Sequence, residues 1–342
     1  MKYRIATTAF ALLASTTALW AEAPYHTGMV AFDIADAARA LDGFVWYPTA
    51  QAEGAVAAHG NKVWQAVSVV PDAPLVAGAH PLVVLSHGMY GNANNQAWLA
   101  QALVAQGYVV AAVNHPGSSS FNKDPDQRRA LWQRSRDISR VIDYVMGGAG
   151  IGVEVEPARI FMAGHSLGGF TAVSLAGGQF DGAVFEASCA QAPDDLACGV
   201  FADWQIAQTP EDLAQMEADL SDPRIAAFAV FDLGGAPFFS APSLAAIDRP
   251  MLVIGAPEDM HGMNIDRESR GLAARLPSAR LTYLEPAGLA HFDFLGECTE
   301  VGLEILKEEE PEDAFVCEKG TTERAQDHQS IAAAVQGFFD DL

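Results

Sequence analysis

Short, continuously apolar runs alternate along this chain with longer stretches in which apolar positions return every three or four residues. The runs Phe44–Tyr47, Leu82–Leu85, Tyr108–Val113, Ile160–Ala163, Ala226–Phe231, Met251–Ile254 and Leu281–Leu284 predict strands, several of them apolar on both sides as burial between two layers demands. The intervening stretches predict helices from Asn92 or Asn94 to Gln106, Gln127–Met146, Ser166–Ala176, Asp266–Leu276 and His328–Leu342. In the first of these, Leu99 and Leu103 lie one turn apart, an asparagine is placed to cap the start and Gly107 to end it. Strand and helix in alternation predict an α/β architecture: a mainly parallel central sheet with helices on both faces.

The alternation breaks once. Cys189–Pro223 is polar, acidic and Pro-containing, with one helix-like piece at Glu211–Leu220, and predicts a cap-like insertion in a single domain spanning 22–342. A second acidic excursion, Lys307–Asp313, reads as a solvated segment. No internal repeat is visible, and 342 residues that are 50% hydrophobic suffice for a large core.

The start, MKYRIATTAFALLASTTALWAEAP, has basic residues, then a short apolar run, then small residues, which predicts a signal peptide over residues 1–21 cleaved near Ala21. The run is too short for a membrane anchor, and the expected product is secreted or periplasmic. Four cysteines, Cys189, Cys198, Cys298 and Cys317, agree with an oxidising compartment. Proximity along the chain favours Cys189–Cys198 and Cys298–Cys317, and the spacings match no zinc pattern. No metal and no cofactor are expected. The formal charge of −23 repels phosphate backbones and anionic lipid, so nucleic acid is not an expected partner. The chain is expected to be a monomer.

The candidate chemistry centres on Gly164-His165-Ser166-Leu167-Gly168-Gly169, between a predicted strand and a predicted helix. A serine nucleophile needs a tight, strained strand-to-helix turn, and flanking glycines permit one. A second element, Ser86-His87-Gly88-Met89-Tyr90-Gly91, ends a buried strand where an oxyanion loop belongs. The amides of Met89 and Leu167 are the expected donors to a developing alkoxide. His291, beyond the last predicted strand, is the expected general base. The acid that orients it is expected after Met251–Ile254, at Asp259 or the adjacent Glu258, or more remotely at Asp232 after the preceding strand. His87, Tyr90, His115, His165 and Phe292 are candidates to line the substrate, and Phe238-Phe239 read as core.

With these motifs in place, the chain resembles secreted serine hydrolases of the α/β-hydrolase superfamily, in particular dienelactone-hydrolase-like and platelet-activating-factor-acetylhydrolase-like enzymes, with some likeness to cutinase-type polyester hydrolases. The resemblance rests on Tyr47-Pro48, Ser86-His87-Gly88, the run Gly107–Gly117, the Gly164–Gly169 elbow and His291-Phe292 followed by two cysteines. It implies an α/β-hydrolase fold, and the likeness of Ile254–Asp259 to the cutinase-type acid loop implies Asp259 as the acid. Dienelactone hydrolases proper use a cysteine nucleophile where this chain has Ser166, so that likeness implies fold rather than substrate.

The expected activity is hydrolysis of small or medium acyl esters by a Ser166–His291–Asp259 triad through an acyl-enzyme. A lipase, phospholipase or polyester hydrolase is the alternative, and a non-catalytic binding protein on the same fold the alternative of another class. Pocket walls are expected from the Cys189–Pro223 insertion and the Asn114–Phe121 loop.

Overall fold

The computed structural model describes residues 25–258 and 262–342. The expected signal peptide at 1–21, and Asp259, lie outside the described residues. Ten strands form the central sheet: β1 (His26–Ile34), β2 (Leu41–Thr49), β3 (Val56–Ala58), β4 (Val67–Pro71), β5 (Ala79–Ser86), β6 (Val109–Asn114), β7 (Glu154–His165), β8 (Ala227–Phe231), β9 (Met251–Ile254) and β10 (Leu281–Leu284). Their spatial order is β10-β9-β8-β7-β5-β6-β2-β1-β4-β3. From β10 to β6 all neighbours are parallel, while β2 pairs antiparallel with β6 and with β1.

Period-two alternation divides the core into two layers. Leu82 and Val84, Val109 and Ala111, Ile160 and Met162, and Phe228 and Val230 point into one layer. Their neighbours Val83 and Leu85, Val110 and Ala112, Phe161 and Ala163, and Ala229 and Phe231 point into the other. Being covered on both sides is why these strands read as unbroken apolar runs.

The helices are α1 (Ala97–Val104), α2 (Pro125–Arg129), α3 (Gln133–Met146), α4 (Leu167–Leu175), α5 (Gly182–Gln191), α6 (Leu196–Asp203), α7 (Pro210–Met216), α8 (Ala241–Ala245), α9 (Ser269–Ala273), α10 (Gly302–Glu309) and α11 (Thr321–Asp340). Ile138, Val141, Ile142 and Val145 of α3 pack with α4 on the first face. Leu99 and Leu103 of α1, with Ile331, Val335 and Phe339 of α11, cover the second.

Several boundaries depart from expectation. The helix expected from Asn92 or Asn94 begins later, at Ala97, with Gln96 as an N-cap lacking a side-chain bond. Asn92 and Asn94 instead belong to a turn in which Asn92 Oδ1 accepts the Asn94 amide. Gln127–Met146 divides into α2 and α3, and α11 begins at Thr321. The segment between α4 and β8 carries α5, α6 and α7, so the departure from alternation starts at Gly182, ahead of Cys189. Cys189 is joined to Cys198 within it, and Cys298 to Cys317 near the C-terminus.

Candidate active site

β5 lies between β6 and β7, so the chain leaves β5 toward one side of the sheet and returns to the other. At such a switch point the loops at the strands' carboxyl ends diverge and leave a crevice. Ser166 stands there, between the end of β7 and the first turn of α4. Its backbone has φ 55° and ψ −119°, a conformation costing a non-glycine residue of order 1–3 kcal/mol. The Ser166 amide donates to the Phe231 carbonyl at 2.9 Å, pinning the turn to β8. The flanking glycines are required by contact: a Cβ at Gly168 would sit 1.9 Å from the Ser86 carbonyl oxygen, and one at Gly164 2.1 Å from that of Gly168.

His291 opens a single turn of 3-10 helix, His291–Phe294, and is buried. Its Nδ1 lies 2.7 Å from Asp232 Oδ2. The other oxygen, Asp232 Oδ1, accepts the Ala256 amide at 3.0 Å and the Ser269 hydroxyl at 3.1 Å. With Oδ2 fully occupied by the imidazole, Nδ1 carries the proton and Nε2 is left as the basic nitrogen. The carboxylate on His291 is therefore Asp232, from the turn after β8, rather than a residue of the turn after β9. Glu258 in that later turn is solvent-exposed, and Asp259 lies outside the described residues. Asp232 has φ 37°, in the left-handed region that aspartate tolerates better than most residues, and this twist accompanies its placement beneath His291.

The His291 turn is tied to Lys319 and to α11. Asp293 accepts from the Ala290 amide and from Lys319 Nζ, each at 2.7 Å. The Asp293 carbonyl faces His328 Nε2 of α11 at 2.8 Å, and the Phe294 carbonyl accepts from Trp98 Nε1 of α1 at 3.1 Å.

The loop after β5 approaches Ser166 closely: a Cβ at Gly88 would lie 3.1 Å from that of Ser166. The amides of Met89 and Leu167 have no acceptor among the described residues, and the second opens α4, where the helix dipole adds positive potential.

Beneath this loop is a buried polar network that the sequence did not suggest. Arg134 donates to the hydroxyls of Thr171, Ser118 and Ser86 and to the His87 carbonyl. Ser86 Oγ lies 2.9 Å from His115 Nε2, and His115 Nδ1 lies 2.9 Å from Asp137. Asp137 is also held by both Arg39 Nε and Nη2, at 2.7 Å each. Ser86, His115 and Asp137 thus repeat the hydroxyl–imidazole–carboxylate order, but all three are fully buried, out of reach of substrate. Burial lowers the Arg134 pKa to about 9, against the stabilising charge of Asp137, so the guanidinium stays charged at neutral pH.

The expected substrate-lining residues divide accordingly. His87 donates from Nδ1 to the Gly88 carbonyl at 2.6 Å, and its Nε2 accepts the His115 amide at 3.1 Å. His115 belongs to the network, and His165 packs behind His291, with ring centroids 4.6 Å apart and Nε2 on the His291 carbonyl. Burial holds the pKa of all three imidazoles well below the usual value. They are structural, neutral groups rather than pocket walls. Tyr90 and Phe292 keep partial exposure. The Tyr90 hydroxyl meets Arg128 at 2.7 Å while its ring packs on Trp204 at the end of α6, and Phe292 lies edge-on to His291 at 4.9 Å. Phe238 and Phe239 are core, as read.

A cleft of ≈ 50 Å³ opens onto Ser166, walled by Met89, Leu196, Ala197, Val200, Phe201 and Met263. Four of these come from α6, which the Cys189–Cys198 bridge joins to α5. On the Asp232 side, a larger cavity of ≈ 640 Å³ shares Met263 and is bounded by Asp195, Arg267 and Glu268.

The arrangement has counterparts among solved structures. A ferulic acid esterase from Streptomyces cinnamoneus superposes with a TM-score of 0.58 at 21% identity, over 95% of this chain and 92% of that one. This is the α/β-hydrolase fold. Within it, residues 77–212, from β5 through the elbow into α7, match the family model described as serine aminopeptidase, S33. Two curated relatives, cutinases est1 and est2 of Thermobifida alba, are each 27% identical over 96 residues, 28% of this chain. The match spans 29% of the length of either cutinase. No helix among the described residues is long and apolar enough to cross a membrane.

Proposed function

We propose that this protein is a secreted serine carboxylic ester hydrolase in which Ser166 is the nucleophile, His291 the general base and Asp232 the orienting acid. The observation that carries this reading is the His291 Nδ1–Asp232 Oδ2 contact of 2.7 Å in a fold whose strained elbow presents Ser166, in the chain order Ser, acid, His of α/β-hydrolases. His291 Nε2 takes the Ser166 proton as the hydroxyl attacks the ester carbonyl. The Met89 and Leu167 amides hold the oxyanion, each worth about 100-fold in rate or more. The protonated imidazole, balanced by Asp232, then passes its proton to the leaving alcohol, and water releases the acyl-enzyme by the same steps.

The small apolar cleft beside Ser166 favours short or medium acyl groups over long chains. The cutinase relatives and the ferulic acid esterase neighbour are consistent with an ester substrate. Two disulfides accord with an oxidising compartment. Ser166→Ala should abolish hydrolysis of p-nitrophenyl acetate, and a fluorophosphonate probe should label Ser166 in the folded protein. Turnover at the wild-type rate in the pure variant would exclude this mechanism, and failure to label would favour a non-catalytic binding protein.

A further inference from the structure

A second depression, of ≈ 310 Å³, shares no lining residue with the acyl cleft, and its chemistry is not used by the mechanism above. It is bounded by the loop between β3 and β4, the turn leading into α1, Phe121, and Gly296 with Glu297. Its volume is at the lower end of small-molecule sites. On a chain of net charge −23, Glu297 is the one carboxylate or cationic side chain lining it among the described residues, and that carboxylate lies 3.6 Å from His328 Nδ1. Most of the rest of the lining is aromatic rings and carboxamides, with small aliphatic residues between them.

Four of the carboxamides, Asn61, Gln65, Asn95 and Gln101, are held at one end, whereas Asn92 is bonded at both. Asn61 Oδ1 accepts the Val63 and Trp64 amides, at 2.8 Å each, and Asn95 Oδ1 accepts the Asn92 amide at 2.6 Å. Both Nδ2 groups have no partner among the described residues. Gln101 Nε2 donates to the Ser68 carbonyl at 2.9 Å and Gln65 Nε2 to that of Cys298 at 3.3 Å. Their Oε1 atoms likewise have no partner among the described residues. Two free donors and two free acceptors therefore belong to side chains that line the same depression as Trp64, Trp98 and Phe121. Phe121 is 69% exposed.

We infer that this depression is a binding site for a neutral oligosaccharide. Each sugar hydroxyl both donates and accepts, which matches fixed amide ends of both kinds, and the apolar C–H face of a pyranose packs on an aromatic ring. A fatty chain would leave the amides unsatisfied, and a nucleic-acid strand would require a cationic groove. Trp98 forms one wall while its indole N–H bonds to Phe294 in the His291 turn, so a bound sugar would touch a side chain that holds that turn. The site then holds the saccharide portion of an acylated sugar while the acyl group enters the cleft. That use rests on the ester-hydrolase reading, but the binding itself does not.

Calorimetric titration of the Ser166→Ala protein with cellohexaose, xylohexaose and mannohexaose tests the inference. At least one should bind with Kd on the order of 1 mM or tighter. Trp64→Ala and Phe121→Ala should each weaken that binding about tenfold, equivalent to ~1.4 kcal/mol. In the Ser166 background Trp64→Ala should not alter kcat/KM for p-nitrophenyl acetate. Phe121 is the arm that does not depend on core packing, so it decides the matter should Trp64→Ala fail to fold. Absence of binding by all three sugars up to about 10 mM, or binding that both substitutions leave intact, overturns the inference. Hydrolysis of p-nitrophenyl acetate without sugar binding sinks the saccharide site alone, whereas sugar binding without esterase activity sinks the catalytic reading alone.

Discussion

Replacing Asp232 with asparagine keeps the side chain's shape and removes its charge, and the surrounding donors determine how the amide settles. At Oδ1 the Ala256 amide, 3.0 Å away, can only donate, so the amide oxygen must occupy that site. The Nδ2 group then faces His291 Nδ1 across the former 2.7 Å contact. Two N–H donors cannot face one another, so Nδ1 becomes the acceptor and the proton moves to Nε2. The base can no longer accept the Ser166 proton. A wrong tautomer of this kind lowers kcat by about 10⁴-fold, or ~5 kcal/mol of barrier, with KM little changed. Steady-state kinetics on p-nitrophenyl acetate would measure this, with a thermal melt to confirm folding. Asp259→Asn, made in parallel, should retain near-wild-type turnover. If Asp259→Asn is the inactive variant and Asp232→Asn turns over normally, the assignment of the acid is wrong.

Glu268 is buried and accepts the Ala236 amide at 2.8 Å, and burial pushes its pKa up to about 8 from 4.5. Between those values the folded chain keeps a proton that the unfolded chain has released, so stability falls as pH rises through the window. Glu268→Gln should flatten that slope and raise Tm above pH 8, with an upper bound of about 5 kcal/mol; pH-resolved melts that superpose on wild type would refute this. Arg134→Met should cost on the order of 3 kcal/mol of stability by leaving the buried His87 carbonyl and the hydroxyls of Thr171, Ser118 and Ser86 without their donor. Arg134→Lys, which keeps the charge but not the fork, should fold and lose kcat through a loosened oxyanion loop, and a fully active Arg134→Lys variant would contradict that positioning role. Removing the Cys298–Cys317 bridge, which closes a separation of 19 residues, should cost ~3 kcal/mol in the chain-entropy model, read by denaturant titration.

The central strands were legible because two-sided burial writes itself as unbroken apolar runs. β1 was not: exposed, intermediate and buried positions are mixed along it, so no clean period survives. Ser166 and His291 were legible because local motif and chain order each constrain them. The acid was not, because Asp232 and Asp259 both satisfy the order Ser, acid, His, and only the contact with Nδ1 separates them. His87 and His115 misled for a related reason. Loops at the carboxyl edge of the sheet are where substrate-lining groups occur, and a linear reading does not reveal that the two rings face each other across a bond from the His115 amide to His87 Nε2. Nor does it reveal Arg134, which projects from a helix with ordinary amphipathic spacing into the floor of the oxyanion loop.

The fastening of the His291 turn to Lys319 and α11 means that, under the proposed mechanism, the base is positioned by a part of the chain that is remote in sequence from the elbow. Until Lys319 and His328 reach Asp293, the strained serine has no positioned partner. A protease that trimmed α11 should therefore silence the enzyme while leaving its nucleophile and elbow in place.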